Sequence, residues 1–126
     1  MKRVRIVIGG RKFEAEINES ECARSIGKSL PIEGTANTWG EEIYFAIPVK
    51  APLEDGRSVV EIGDLGYWPP GRAFCIFFGK TPMSTDEEIR PAGAVNMVGK
   101  ILGNLEPLKK VRDGERITIE EIETSE

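Results

Sequence analysis

Apolar and polar residues alternate with a period of two over most of this chain, the signature of strands with one face buried. Arg3 to Ile8 alternates through Val-Arg-Ile-Val-Ile. Lys12 to Ile17 alternates strictly, with Phe13, Ala15 and Ile17 on one face and Lys12, Glu14 and Glu16 on the other. Gly9-Gly10 between them supplies the positive φ of a two-residue hairpin. The period then changes to that of a helix: Cys22, Ile26 and Leu30 form one stripe, Asn18 and Glu21 have the spacing of a capping box, and Pro31 ends the run.

Further along, the pattern predicts a strand within Ile32 to Trp39. It predicts another over Glu42 to Val49, with Ile43, Phe45, Ile47 and Val49 on one face and Tyr44 and Ala46 on the other, and a short one over Ser58 to Ile62. Gly63 to Gly71 reads as an aromatic turn stiffened by Pro69-Pro70, which hold Trp68 in extended backbone. Ala73 to Phe78 is a strand without a polar side chain on either face, so both faces are covered. A surface loop over Pro82 to Gly93 precedes a strand over Ala94 to Leu102. A second helix capped by Asn104 carries the stripe Leu105, Leu108 and Val111, and Glu115 to Ile122 forms the last strand.

These elements predict a mainly β fold, a closed or nearly closed barrel of about eight strands with two short capping helices, because closure removes exposed sheet edges. Ile6, Ile8, Phe13, Ile17, Ile26, Phe77, Ile101, Leu108, Ile117 and Ile119 are its expected core. The chain's 126 residues form a single domain, 1–126.

Composition narrows the function more by exclusion than by indication. A net charge of −4 argues against nucleic acid as a partner. The absence of long apolar runs argues against a membrane, and the short, arginine-interrupted apolar stretch at the N-terminus is unlike a signal peptide; the expected location is cytoplasmic. With no histidine in the sequence, imidazole bases, His-based triads and His-ligated metals are excluded. Cys22 and Cys75 lack metal or redox spacing and read as buried thiols, so neither a metal nor another cofactor is expected.

The order of elements, with Phe77-Phe78 before a Gly/Thr/Pro segment, Val98-Gly99-Lys100-Ile101 before Leu108-Lys109-Lys110-Val111, and Ile47-Pro48 ending a strand, resembles the cyclophilins over nearly the whole chain. The segments WGEEIYF, GDLGYWPPG and FFGKTP are similar to a small prokaryotic group of atypical cyclophilin-like proteins of unknown function. Counting along these motifs, the resemblance places Phe45 at the family's catalytic arginine and Tyr44 at the neighbouring histidine. Val95 falls at the groove histidine and Arg90 at the groove tryptophan, while Phe78 keeps the second phenylalanine. It therefore implies a peptide or small apolar or acidic ligand bound with little or no prolyl isomerisation, since the arginine supplies the main electrostatic stabilisation. By analogy, a protein partner stays in view as well, and the sequence leaves the oligomeric state open.

The candidate ligand-binding residues are Trp39, Tyr44, Phe45, Tyr67, Trp68, Arg72, Phe78, Arg90 and Asn96. Phe78, Trp68, Tyr44 and Arg90 are expected on the walls of a groove outside the barrel, on the premise that Cys75 and Phe77 fill the interior and Phe78 points away. The same aromatics also fit a core role, the two arginines fit ordinary surface positions, and Asn96 fits a structural hydrogen bond. Glu41 and Glu42 are adjacent on a strand and point to opposite faces, so they cannot act as an acid/base pair.

Overall fold

Residues 1–122 are described by the computed structural model; Glu123 to Glu126, with the last of the C-terminal acidic residues, lie outside the described part. β1 (Lys2–Ile8) and β2 (Arg11–Ile17) form the expected hairpin, with Gly9 at φ 54° and Gly10 at φ 85°. After α1 (Glu21–Lys28), the chain continues through β3 (Ile32–Thr35), β4 (Asn37–Thr38), β5 (Glu42–Ala46), β6 (Asp64–Trp68), β7 (Ala73–Phe77), β8 (Asn96–Ile101) and β9 (Arg116–Glu121).

The nine strands make one antiparallel sheet in the order β3-β9-β1-β2-β8-β6-β7-β5-β4. Its two outermost strands, β3 and β4, follow each other in sequence and are separated only by the buried Ala36. One bent segment therefore pairs with β9 on one side and β5 on the other, which closes the sheet into a nearly complete barrel. The barrel interior holds Val4, Ile6, Ile8, Ile17, Ile43, Phe45, Leu65, Tyr67, Phe74, Ile76, Val98, Ile117 and Ile119, and all ten expected core residues are buried. The Phe45 and Phe74 rings meet edge to face with centroids 6.0 Å apart.

Two short helical pieces close opposite ends. α1 joins the end of β2 to the barrel near the start of β8 and buries Cys22, Ala23 and Ile26. Its N-cap is Ser20, whose Oγ accepts from Ala23 N at 3.2 Å. Asn18, expected as the cap, instead accepts from Ser20 N and Oγ and donates to Met97 O, tying the helix entry to β8. Beyond the other end of β8, the expected second helix is a short 3₁₀ stretch, Glu106–Lys110, that buries Leu108 and ends where Val111 turns extended.

Two further readings are corrected. The aromatic stretch read as a turn is strand β6, its turn confined to Pro69–Gly71, because Leu65 and Tyr67 find interior partners opposite Ile76 and Phe74. Ser58 to Ile62 is not a strand: a single bridge joins its Val60 to Ile89 of the segment that covers the barrel's outer face, and another joins the preceding Arg57 to Val95. On the solvent face of β1, β2 and β9, Arg3 pairs with Glu14 and Glu16 and Arg5 with Glu120, while Lys2 and Glu121 pair at the strand ends, on the side that carries the interior residues. No helix among the described residues is long and apolar enough to cross a membrane.

Candidate functional site

Directly opposed residues of antiparallel strands share a face. Ile43 and Phe45 of β5 point inward, so their partners Ile76 and Phe74 of β7 do too, and Phe78 follows by alternation. Glu42, Tyr44, Ala73, Cys75 and Phe77 consequently face outward, together with Trp68 of β6 and Met97 of β8, where Gly66 adds no side chain. The expectation that Phe78 lines an outer groove while Cys75 and Phe77 fill the barrel is thus reversed. Phe78 belongs to the interior and Phe77 to the outer cluster. The premise was one residue out of register, and in a strand apolar on both faces alternation alone does not say which face is inside.

The outward face is roofed by the segment from Gly79 to Ala94. Val60 and Val95 share a buried outer cluster with Phe77, Ile89 packs against that cluster, and paired backbone bonds at 2.8 and 3.0 Å join Arg57 to Val95. The roof is held by its own hydrogen bonds. Thr81 Oγ1 donates to Arg90 O, Ser84 Oγ accepts from Thr81 N and Arg90 N, and Thr85 Oγ1 accepts from Glu88 N.

Where the roof stops, a concavity of about 290 Å³ remains over β5, β6 and β7. Its floor is Ala73, Cys75 and Glu42, its far wall Pro91, Ala92 and Val95, and its aromatic rim Trp39, Tyr44 and Trp68. Trp39 is placed by the tight turn into β5, in which Trp39 and Glu42 exchange backbone bonds at 2.9 and 3.2 Å. Trp68 is placed by Pro69-Pro70, and its ring lies against the backbone of Gly71 and, at Nε1, of Gly93.

The unusual group is Glu42. Its side chain is buried in an apolar surrounding, 5 % exposed, and Oε1 receives no hydrogen bond from the described residues. Burial pushes its carboxyl up to about 7, only partly offset by the Cys75 thiol beside it. Burial, and then the charge of Glu42, push that thiol well above its ordinary range, so Cys75 is a packed, protonated side chain and not a nucleophile.

Of the nine candidates, Trp39, Tyr44 and Trp68 come together in this concavity. Phe45 does not, being fully inside the barrel, so the groove-facing side chains of β5 are Glu42 and Tyr44, three positions and one position before the one the resemblance assigns to the arginine. Tyr67 is also inside, its hydroxyl donating to Val49 O at 2.6 Å and accepting from Ala51 N at 3.3 Å. Asn96 points the opposite way from Val95 and is a tie for the loop after β5, donating to Pro52 O at 2.9 Å and accepting from Glu54 N at 2.6 Å. Arg72 is exposed at the end of the Pro-Pro turn. Arg90 is held by Glu88 within the roof, through Nε at 3.1 Å and Nη2 at 2.5 Å, and does not reach the concavity. Glu42, which sequence reasoning sets aside together with Glu41 as an acid/base pair, is the acidic group the hollow contains. Its sequence signal was an acidic residue sharing a strand face with Tyr44 while its partner face carried only apolar side chains.

None of the curated proteins matches this chain. The solution structure of a hypothetical protein from Archaeoglobus fulgidus is similar to it, with 47% identity and a TM-score of 0.82, covering 96% of this chain and 95% of that one. The sequence profile of the Cyclophilin-like family matches residues 2–120, and with the barrel that those residues form, the chain belongs to the cyclophilin-like family.

Proposed function

We propose that this protein is a binding module that holds a small, largely apolar ligand, free or carried on a peptide, in the concavity outside the barrel. The single observation behind this reading is the buried, unpartnered Glu42 oxygen on the floor of an aromatic-rimmed hollow. A buried polar group normally has a partner, and a carboxyl left short of one on the floor of an apolar concavity is satisfied when a ligand brings a donor to it. Three aromatic rings, two of them tryptophans set by short turns, supply contact area at little ordering cost.

Prolyl isomerisation is disfavoured on the same ground. Among the described residues no arginine lines the hollow, so nothing there offers the guanidinium donor that stabilises a twisting prolyl amide in the family this chain resembles. The two free cysteines suit a reducing compartment such as the cytoplasm.

A thermal-shift screen of small apolar compounds tests the reading, since a ligand bound only by the folded state raises its melting temperature by mass action. Hits whose effect disappears in Trp68→Ala but persists in Phe78→Leu support it. A screen whose hits are indifferent to Trp68 contradicts it.

A further inference from the structure

Resting on that reading, we propose that the hollow selects an organic ammonium. The ligand is a protonated primary or secondary amine on an apolar or aromatic body, which donates an N–H to the Glu42 carboxylate and lays its charge against Trp39, Tyr44 and Trp68.

Three features point to this chemistry together. The Glu42 carboxyl lines the hollow with one oxygen, Oε1, buried without a geometric hydrogen bond and only the weak thiol donor of Cys75 beside it, so a ligand group carrying a hydrogen on nitrogen or oxygen complements it. Among those residues no lysine or arginine lines the hollow, so an ionised Glu42 has no counter-charge until the ligand brings one. The rim is made of the ring types whose faces attract cations, tryptophan most strongly, and in a partly desolvated site that attraction and the ion pair reinforce each other. An anionic ligand would meet the carboxylate with nothing to neutralise it, and a purely apolar one would leave the oxygen unsatisfied. The remaining wall of Pro91, Ala92 and Val95 fits the ligand's apolar body.

A pH signature follows. The titratable groups facing Glu42 are Cys75 from β7, which burial keeps protonated, and Tyr44 from its own strand; Pro91, Ala92 and Val95 bring none. An ammonium needs the ionised carboxylate, and burial holds that group near 7. Affinity should therefore rise with pH, about thirtyfold between pH 5.5 and pH 8.5.

The test is calorimetric titration of the intact protein at pH 8.5 with three probes that share a benzyl body. Benzylammonium has charge and N–H, benzyl alcohol has a donor without charge, and benzyltrimethylammonium has charge without N–H. Benzylammonium should bind at least tenfold tighter than the other two, lose that advantage in Glu42→Gln, and weaken toward pH 5.5. Trp68→Ala should weaken all three. A blocked tripeptide with a central lysine distinguishes the source: Glu42-dependent binding extends the site to peptide-borne amines, and binding of the free amine alone assigns it to small molecules. If benzyl alcohol binds as well as the amine, or Glu42→Gln leaves the amine's affinity unchanged, ammonium selection is wrong while the hollow remains a ligand site. If none of the probes binds in a Trp68-dependent way, both this inference and the binding reading fail.

Discussion

Replacing Glu42 with glutamine should stabilise the protein at alkaline pH and leave it nearly unchanged in acid. The side chain is 5 % exposed and burial raises its carboxyl from the ordinary 4.5 to about 7. Below pH 4.5 the group is protonated in both the folded and the unfolded chain and contributes nothing. Between 4.5 and 7 the unfolded chain gives up its proton while the folded one keeps it, so stability falls as pH rises; above 7 the loss is complete. At about 1.4 kcal/mol per pH unit, the total comes to roughly 3 kcal/mol. For a chain of this size that is a difference of about 10 °C in melting temperature. The substituted amide keeps the shape of the protonated acid and has no charge to bury, so the melting temperature of the Glu42→Gln protein lacks this descent. The assay is scanning calorimetry of both proteins from pH 5 to 8.5, read as the difference between them. Asp113 and Glu115 have carboxyls held low by hydrogen bonds from Thr38 and Arg112 respectively; they destabilise at lower pH with the opposite sign, and they cancel in that difference. A gap between the two proteins that stays constant within about 2 °C across the range would show that Glu42 is not forced to ionise in a dry site.

Phe78→Ala should cost about 3–5 kcal/mol of stability by urea denaturation while leaving ligand contacts at Trp39 and Trp68 intact, because Phe78 fills the interior and not the groove. Loss of binding without loss of stability would return Phe78 to the outer face. Asn96→Ala should cost about 1–3 kcal/mol and speed hydrogen exchange in the loop around Pro52 and Glu54, whose backbone groups lose their partners, with no change in binding at the hollow. Weakened binding with unchanged loop exchange would make Asn96 a ligand contact.

The barrel was legible because its evidence is local. The alternation of β1 and β2, the Gly9-Gly10 turn and the stripe of Cys22 and Ile26 each announce an element and its buried face without reference to any other. The site was less legible because it depends on pairing. Ala73 to Phe78 shows no polar residue, so its orientation is set only by β5 and β6, whose own alternation, Ile43 and Phe45 against Glu42 and Tyr44, determines which side of β7 is inside. Counting along motifs carried Phe45 into the groove, and a slip of one residue exchanges the two faces of a strand. The same pairing brings Glu42 to the groove floor. In the sequence Glu42 reads only as an acid/base partner of Glu41, set aside because the two point to opposite faces; its burial on the outward face of β5 comes from the roof after β7.

The most direct test of the account is where a ligand sits. Amide and indole resonances of the isotopically labelled protein, followed while benzylammonium is added at pH 8.5, should shift at Trp39, Glu42, Tyr44, Trp68 and Val95, the residues around the hollow, and stay still at Phe45, Tyr67, Phe78 and Asn96. Shifts confined to the second group, or to the exposed Arg72 and the far side of the barrel, would contradict it.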